Sequence, residues 1–263
     1  AQRYKEEIIQ EIPEVDAVLG TTSYGDIVKA LDEALKGKSF QEFRDVNELP
    51  AVSVNRVLTT GGHFGYLKIA EGCDKHCTYC IIPSLRGRFR SVPEERLVQQ
   101  AEYMASQGVK ELILVAQETT VYGTDLYGKK TLHLLLKKLC GIKGIRWIRI
   151  LYCYPEEIYD KLIQVMKEEK KICHYLDLPI QHASDRILKR MGRRTSKKQL
   201  VEIIRKLRRE IPDIILRTTL ITGFPGETEE DHQELMEFVD EMEFDRLGVF
   251  TYSAEEGTPA ASM

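Results

Sequence analysis

The chain has 263 residues, 43% hydrophobic and 30% charged, with a formal net charge of -3. That length holds one large domain or two smaller ones, and so small a charge gives no global pull toward nucleic acid, so such contact has to be local. No run of about eighteen apolar residues occurs, the start AQRYKEEIIQ is no secretory signal, and the six cysteines, part of them clustered, do not suit a disulfide framework. A cytoplasmic protein without a membrane span is expected.

Residues 1–44 read as a separate small unit. Arg3–Glu11 has the pattern of a helix end, Ala17–Leu19 of a short strand, and Tyr24–Leu35 of an amphipathic helix with Ile27, Leu31 and Leu35 on one face. So few elements make a poor core, and the unit reads as the tail of a domain that begins outside the chain. Arg44–Thr60 has weak periodicity and runs into the Gly61–Gly62 pair, so residues 45–62 read as a linker and 63–263 as the main domain.

The first strand-like run of that domain, Tyr66–Ala70, leads into Glu71–Arg90, EGCDKHCTYCIIPSLRGRFR. Cys73, Cys77 and Cys80 can face one point only if this loop curls around it, and soft sulfur ligands crowded this way select an iron–sulfur cluster or zinc. A structural zinc normally takes a fourth protein ligand. No fourth cysteine follows at a matching distance, and His76 adjoins Cys77, so its ring would have to point away from a site that Cys77 faces. The set fits a four-iron cluster with one iron open to a small molecule better than zinc, which stays as the alternative.

Further strand-like runs follow at Glu111–Ala116, Arg146–Tyr152, Tyr175–Leu178, Ile214–Ile221 and Arg246–Tyr252. Between them lie helical patterns at Pro93–Gln107, Thr131–Leu139, Pro155–Glu168, Lys197–Arg209 and Thr228–Glu241. Ser91, ahead of Pro93-Glu94-Glu95, and Thr228, ahead of Glu229, Glu230 and Asp231, read as helix starts. Strands alternating with helices predict an α/β fold with parallel crossovers, a partial (βα)6 relative of the TIM barrel, with chemistry at the carboxyl ends of the strands. A doubly wound open sheet is the other solution.

The strand exits supply the remaining candidates. Gln117 and Glu118 follow the second strand, placed to hydrogen-bond an amino group, and Tyr152-Cys153-Tyr154-Pro155 follow the third. Gln181, His182, Arg193 and Arg194 follow the fourth. A buried arginine there suits a carboxylate, whereas His182 reads as a satisfied loop residue and most of the basic run Lys189–Lys198 as a solvated helix junction. The fifth ends in Gly223-Phe224-Pro225-Gly226, where glycines admit a ligand close to the backbone and Phe224 or Ile221 can flank an adenine; a plain tight turn is the alternative. Cys140, Cys153 and Cys173 read as small packing hydrophobes.

The C-x-x-x-C-x-aromatic-C run, with Tyr79 as the aromatic, resembles the signature of the radical S-adenosylmethionine enzymes. CDKHCTYCIIPSLRG, AQETT-x-YG, LPIQHASDRILKRMGR, ITGFPGETEED and FTYSAEEGTPA together resemble its methylthiotransferase branch over nearly the whole chain. The resemblance implies a [4Fe-4S] cluster on Cys73, Cys77 and Cys80 and an S-adenosylmethionine pocket drawing on Tyr79, Gln117, Gln181, Arg193, Thr219 and Phe224. It implies transfer of a methylthio group, one S-adenosylmethionine supplying the methyl and a second the radical that takes a hydrogen from an unactivated carbon. Gln117-Glu118-Thr119-Thr120 and Gln181-His182-Ala183-Ser184 resemble the members that modify the β-carbon of an aspartate in ribosomal protein twelve of the small subunit. Members acting on a tRNA adenosine, the alternative, usually have Gln-Asn and Gln-Ser-Gly-Ser there. The resemblance further implies that residues 1–44 end an amino-terminal methylthiotransferase domain whose second cluster and sulfur-inserting role lie outside the chain, as does a carboxyl-terminal β-barrel. It implies an electron donor such as flavodoxin or ferredoxin, and a monomer.

Overall fold

The computed structural model describes residues 1–49, 57–59 and 61–263. Much of the expected linker, 50–56 and residue 60, therefore lies outside the described residues. The first unit contains α1 (Lys5–Glu11), β1 (Ala17–Leu19), α2 (Ile27–Leu35) and β2 (Phe40–Glu42), with β1 and β2 paired in parallel. The strand β2 escaped the sequence pattern because Phe40-Gln41-Glu42 offers only one apolar side chain; its ladder with Ala17–Leu19 holds it.

The main unit runs β3 (Phe64–Lys68), β4 (Ala70–Glu71), α3 (Ile82–Arg86), β5 (Arg90–Ser91), α4 (Glu94–Ser106), β6 (Glu111–Val115), α5 (Thr124–Tyr127), α6 (Leu132–Cys140), β7 (Trp147–Ile150), α7 (Asp160–Glu168), β8 (Ile172–Asp177), α8 (Asp185–Arg190), α9 (Lys197–Glu210), β9 (Ile215–Thr222), α10 (Glu229–Met242) and β10 (Arg246–Thr251). Six of its strands form one parallel sheet in the order β10-β9-β8-β7-β6-β3, which is their order along the chain. A doubly wound sheet reverses direction at a switch point. This one never does, which leaves the partial barrel.

Burial tells the same story. On β6, Leu112 and Leu114 are buried while Glu111, Ile113 and Val115 between them are only half-buried. The buried series continues through Leu67, Ile148, Ile150, Leu176 and Leu216 and forms one core with Leu97, Leu135, Ile163, Ile204 and Phe238 of the helices. The helices thus cover one face of the sheet, and the other face carries Tyr66, Trp147, Arg149, Tyr175, Ile215 and Arg217. At about 25 cal/mol per Å2 of apolar surface, the covered face dominates the stability of the domain.

Several boundaries depart from the sequence reading. β8 begins at Ile172 rather than Tyr175, its polar His174 held by Asp213 at 2.7 Å and the Met166 carbonyl at 3.1 Å. α7 begins only at Asp160, after a single 3-10 turn at Pro155–Glu157. Thr228 caps α10 in a reciprocal box with Asp231, as expected, but Pro93 rather than Ser91 caps α4. Ser91 instead donates to Asp125 Oδ1 at 2.6 Å and accepts from the Gly123 N–H at 2.9 Å, binding the strand-two loop to the base of the cysteine loop.

Candidate functional site

The cysteine loop leaves β3 at its carboxyl end and is closed at its base by the antiparallel pairs Ala70↔Ser91 and Glu71↔Arg90. Gly72 starts the loop at φ 78, and a Cβ there would stand 2.0 Å from the Arg88 carbonyl oxygen. Only glycine makes that turn against that neighbour. Its N–H donates to Gln117 Oε1 at 2.8 Å, Cys73 N–H to the Gly87 carbonyl at 3.1 Å, and Phe89 N–H to Asp74 Oδ1 at 3.0 Å. Farther on, Thr78 donates from N–H to the Met191 carbonyl at 3.0 Å and from Oγ1 to the Arg190 carbonyl at 2.8 Å, docking the loop on the end of α8.

This stitching leaves Cys73 and Cys77 buried and Cys80 half-buried. Burial pushes the Cys73 thiol up to about 11, opposed by the Lys75 N–H and reinforced by Cys77 and Cys80, and it raises Cys80 as well. Each thiol therefore feels the next. Yet among the described residues no three His, Cys, Asp or Glu side chains converge as they would on one metal ion. Sulfurs around a single zinc stand about 4 Å apart, given Zn–S bonds of about 2.3 Å. A cube takes each thiolate on a different iron, so three thiols need not converge on one ion.

Cys73 and Cys80 line a cavity of about 520 Å3 with Lys68, Val115, Gln117, Tyr152 and Tyr154, at the carboxyl ends of β3, β6 and β7. A hollow of about 620 Å3 elsewhere lies between α7 and α9 on the outer, helical surface, away from the thiols. Two of the non-glycine residues with positive φ, Tyr152 at 59° and Gln181 at 72°, sit at strand exits on the mouth, where strained backbone is held only by the structure around it.

The structure distributes the other candidates unevenly. Gln117 reaches the cavity, but its carbonyl oxygen is engaged by the Gly72 N–H, so it orders the cysteine loop. Gln181 joins β9 through its backbone, its N–H on the Thr219 carbonyl at 2.9 Å and its carbonyl on the Ile221 N–H at 2.8 Å. The Thr219 hydroxyl accepts from Arg217 at 3.3 Å. Phe224 is 1% exposed, packed with Ile187, Met191 and Ala260 and set edge-on to Tyr79 at 6.4 Å and Tyr252 at 5.2 Å. Its ring supports Tyr79 rather than opening onto the cavity. Arg193 is buried too: its guanidinium lies 4.3 Å from the Tyr154 ring centre, Nη2 is 3.4 Å from Glu156, and Nε and Nη1 have no partner among the described residues. His182, expected to be a satisfied loop residue, is satisfied on one side only: Nδ1 accepts from the Ser184 N–H at 3.0 Å, while buried Nε2 stands 3.4 Å from Glu227 with no hydrogen-bond partner among the described residues.

Tyr154 went unassigned in the sequence. Its hydroxyl lies 3.7 Å from Cys77 Sγ, and the Arg193 cation on its ring raises the positive potential beside that thiol. The signal was an aromatic pair, Tyr152 and Tyr154, at a strand exit, readable only once the strand's direction is known.

Glu118 turns away from the cavity and is 1% exposed. Burial lifts its carboxyl to about 7, hydrogen bonds from Thr120 offsetting part of the effect, and Oε2 has no partner among the described residues. A carboxyl raised on folding binds its proton more tightly in the folded chain, so its penalty on stability grows from pH 4.5 to about 7 and is then constant. Glu118→Gln should therefore stabilise the apo-protein at pH 8 by up to about 3 kcal/mol and hardly at all at pH 4, as urea denaturation at the two pH values will show.

A thiol loop at the carboxyl end of the first strand of a partial barrel, beside a cavity large enough for a nucleoside, defines the radical S-adenosylmethionine class. Residues 67–239 match the Radical SAM superfamily, and the chain belongs to it. That family's chemistry uses S-adenosylmethionine and an iron–sulfur cluster. Among curated proteins, the chain is 69% identical over its full length to "Ribosomal protein uS12 methylthiotransferase RimO" of Lachnoclostridium phytofermentans and 53% to the protein of the same name from Clostridium botulinum strain Eklund 17B. It spans 60% and 59% of those relatives' lengths. Among solved structures it resembles the radical S-adenosylmethionine methyltransferase TsrM of Kitasatospora setae, with cobalamin and a [4Fe-4S] cluster bound, at a TM-score of 0.63 and 17% identity over 76% of this chain and 39% of that one. SuiB of Streptococcus suis gives 0.52 and 17% over 97% of this chain and 52% of its own. These likenesses are of fold. Among the described residues no helix is long and apolar enough to cross a membrane.

Proposed function

We propose that this chain is the radical-generating part of a methylthiotransferase that modifies an aspartate of ribosomal protein uS12. The observation that carries it is 69% identity over the whole of this chain to a relative of that name, joined to a cavity lined by Cys73 and Cys80. Cys73, Cys77 and Cys80 would hold the cluster, which when bound supplies the electron that cleaves S-adenosylmethionine. Gln117 and Gly72 fix the loop, and Arg193 and Tyr154 back it with positive charge and a hydroxyl. Of the candidate cofactor contacts, Gln117 faces the cavity directly, whereas Tyr79 and Phe224 pack edge-on against each other outside its lining and Gln181 and Thr219 belong to the strand exits.

In this reading residues 1–44 belong to the enzyme's amino-terminal domain and 63–263 to its radical domain. The second cluster and sulfur insertion depend on the length that the chain does not span. A flavodoxin or ferredoxin supplies the electron, and the enzyme works as a cytoplasmic monomer. No observation favours a tRNA adenosine as substrate. The test is mass analysis of uS12 and tRNA from a strain lacking the gene. The methylthio group should vanish from uS12 alone; its loss from tRNA alone would reverse the assignment.

A further inference from the structure

The uncovered face of the sheet carries charge that radical formation does not use. Arg149 of β7 lies 5.0 Å from the Tyr175 ring centre, and Tyr175 also feels Arg217 of β9 and Arg246 of β10. Arg149 Nε donates to Glu111 at 2.7 Å, and Arg217 Nη1 donates to Asp177 Oδ1 at 2.5 Å and to Thr219 Oγ1 at 3.3 Å. Arg246 has no ion pair among the described residues. Three guanidiniums therefore face two carboxylates, and one further carboxylate would balance them.

Arg217 is the member placed to receive it. Its side chain is 36% exposed, against 6% for Asp177. Its neighbour across the ladder, two residues along, is Gly248, whose missing Cβ would stand 3.7 Å from Nη2. That arm of the fork makes no hydrogen bond to a described residue. Asp177 holds the other arm, and its second oxygen accepts from the Tyr152 N–H at 3.4 Å. Tyr152 lines the cavity of Cys73 and Cys80, so Asp177 and Tyr152 link Arg217 to the edge of that cavity.

We propose that Arg217 is the specificity-determining residue for the substrate, its free arm gripping the carboxylate of an acidic side chain on a peptide. This rests on the uS12 reading and deepens it. An aspartate β-carbon is bonded directly to its carboxylate, so a grip on the carboxylate fixes the reacting carbon. A planar fork suits that group. An adenine is neutral and leaves such a site unbalanced.

The test uses the full-length enzyme, reconstituted anaerobically, with two uS12 loop peptides, one carrying the target aspartate and one asparagine. Wild type, Arg217→Gln, Arg217→Lys and Asp177→Asn are compared by peptide affinity with the cluster oxidised, by KM and kcat separately, and by 5′-deoxyadenosine formed without peptide. In Arg217→Gln, affinity for the aspartate peptide should fall 10- to 100-fold, with the preference over asparagine lost. Peptide-free cofactor cleavage and iron content should stay within twofold. Arg217→Lys, which keeps charge without the fork, should fall between. Unchanged aspartate preference in Arg217→Gln overturns the inference while leaving the uS12 reading intact. Failure of wild type to modify either peptide overturns the reading itself.

Discussion

Replacing any one of Cys73, Cys77 or Cys80 with alanine is expected to remove the cluster and depress 5′-deoxyadenosine formation at least a thousandfold. The size of the effect follows from the donor set. With one thiol removed, two sulfurs would have to hold what three hold. Hard oxygen donors nearby are poor replacements for soft sulfur. Anaerobic reconstitution followed by iron and sulfide analysis measures it: about four irons on this cluster for the parent and close to none for each variant. Retention of both iron and cleavage in Cys77→Ala would remove that residue from the ligand set.

Gly72→Ala should be nearly as damaging although it touches no sulfur. The new methyl would sit 2.0 Å from a backbone oxygen at φ 78, so neither a rotamer change nor a side-chain shift relieves it. Relief requires the turn to open, which breaks the Gly72 N–H bond to Gln117 and the Cys73 N–H bond to Gly87. We expect a loss of about 3 kcal/mol or more in denaturant unfolding of the apo-protein, the range for a non-glycine forced into a strained turn with a backbone clash, together with poor cluster uptake. Gly61→Ala is the control: its Cβ meets only the His63 ring, at 3.4 Å, and uptake should be normal.

How much of this was legible in the residues depended on range. The three thiols lie within one short loop, so spacing alone announced them, and the sheet was legible because strand periodicity and helix starts such as Thr228 are local. The barrel and the doubly wound sheet differ only in strand order, which periodicity does not carry. Position in space decided the rest. Gln117 looked like a ligand group and turned out to hold the Gly72 amide, since its partner is 45 residues away. Phe224 looked like a flank for adenine and is buried under Tyr79 and Tyr252 because β10 returns beside β9. Arg193 is buried rather than part of a solvated junction, and its guanidinium is packed on Tyr154 behind the thiols, a placement that rests on three separate strand exits meeting.

Because spatial and chain order coincide in the sheet, each strand of the growing polypeptide can dock on its predecessor as it leaves the translation machinery. The thiol loop is the exception: its hydroxyl clasp from Thr78 to Arg190 spans 112 positions. The scaffold can thus assemble stepwise from its first strand, while the pocket for iron finishes only after the later half has been synthesised. Metal delivery during biosynthesis would then favour nearly completed chains over nascent ones.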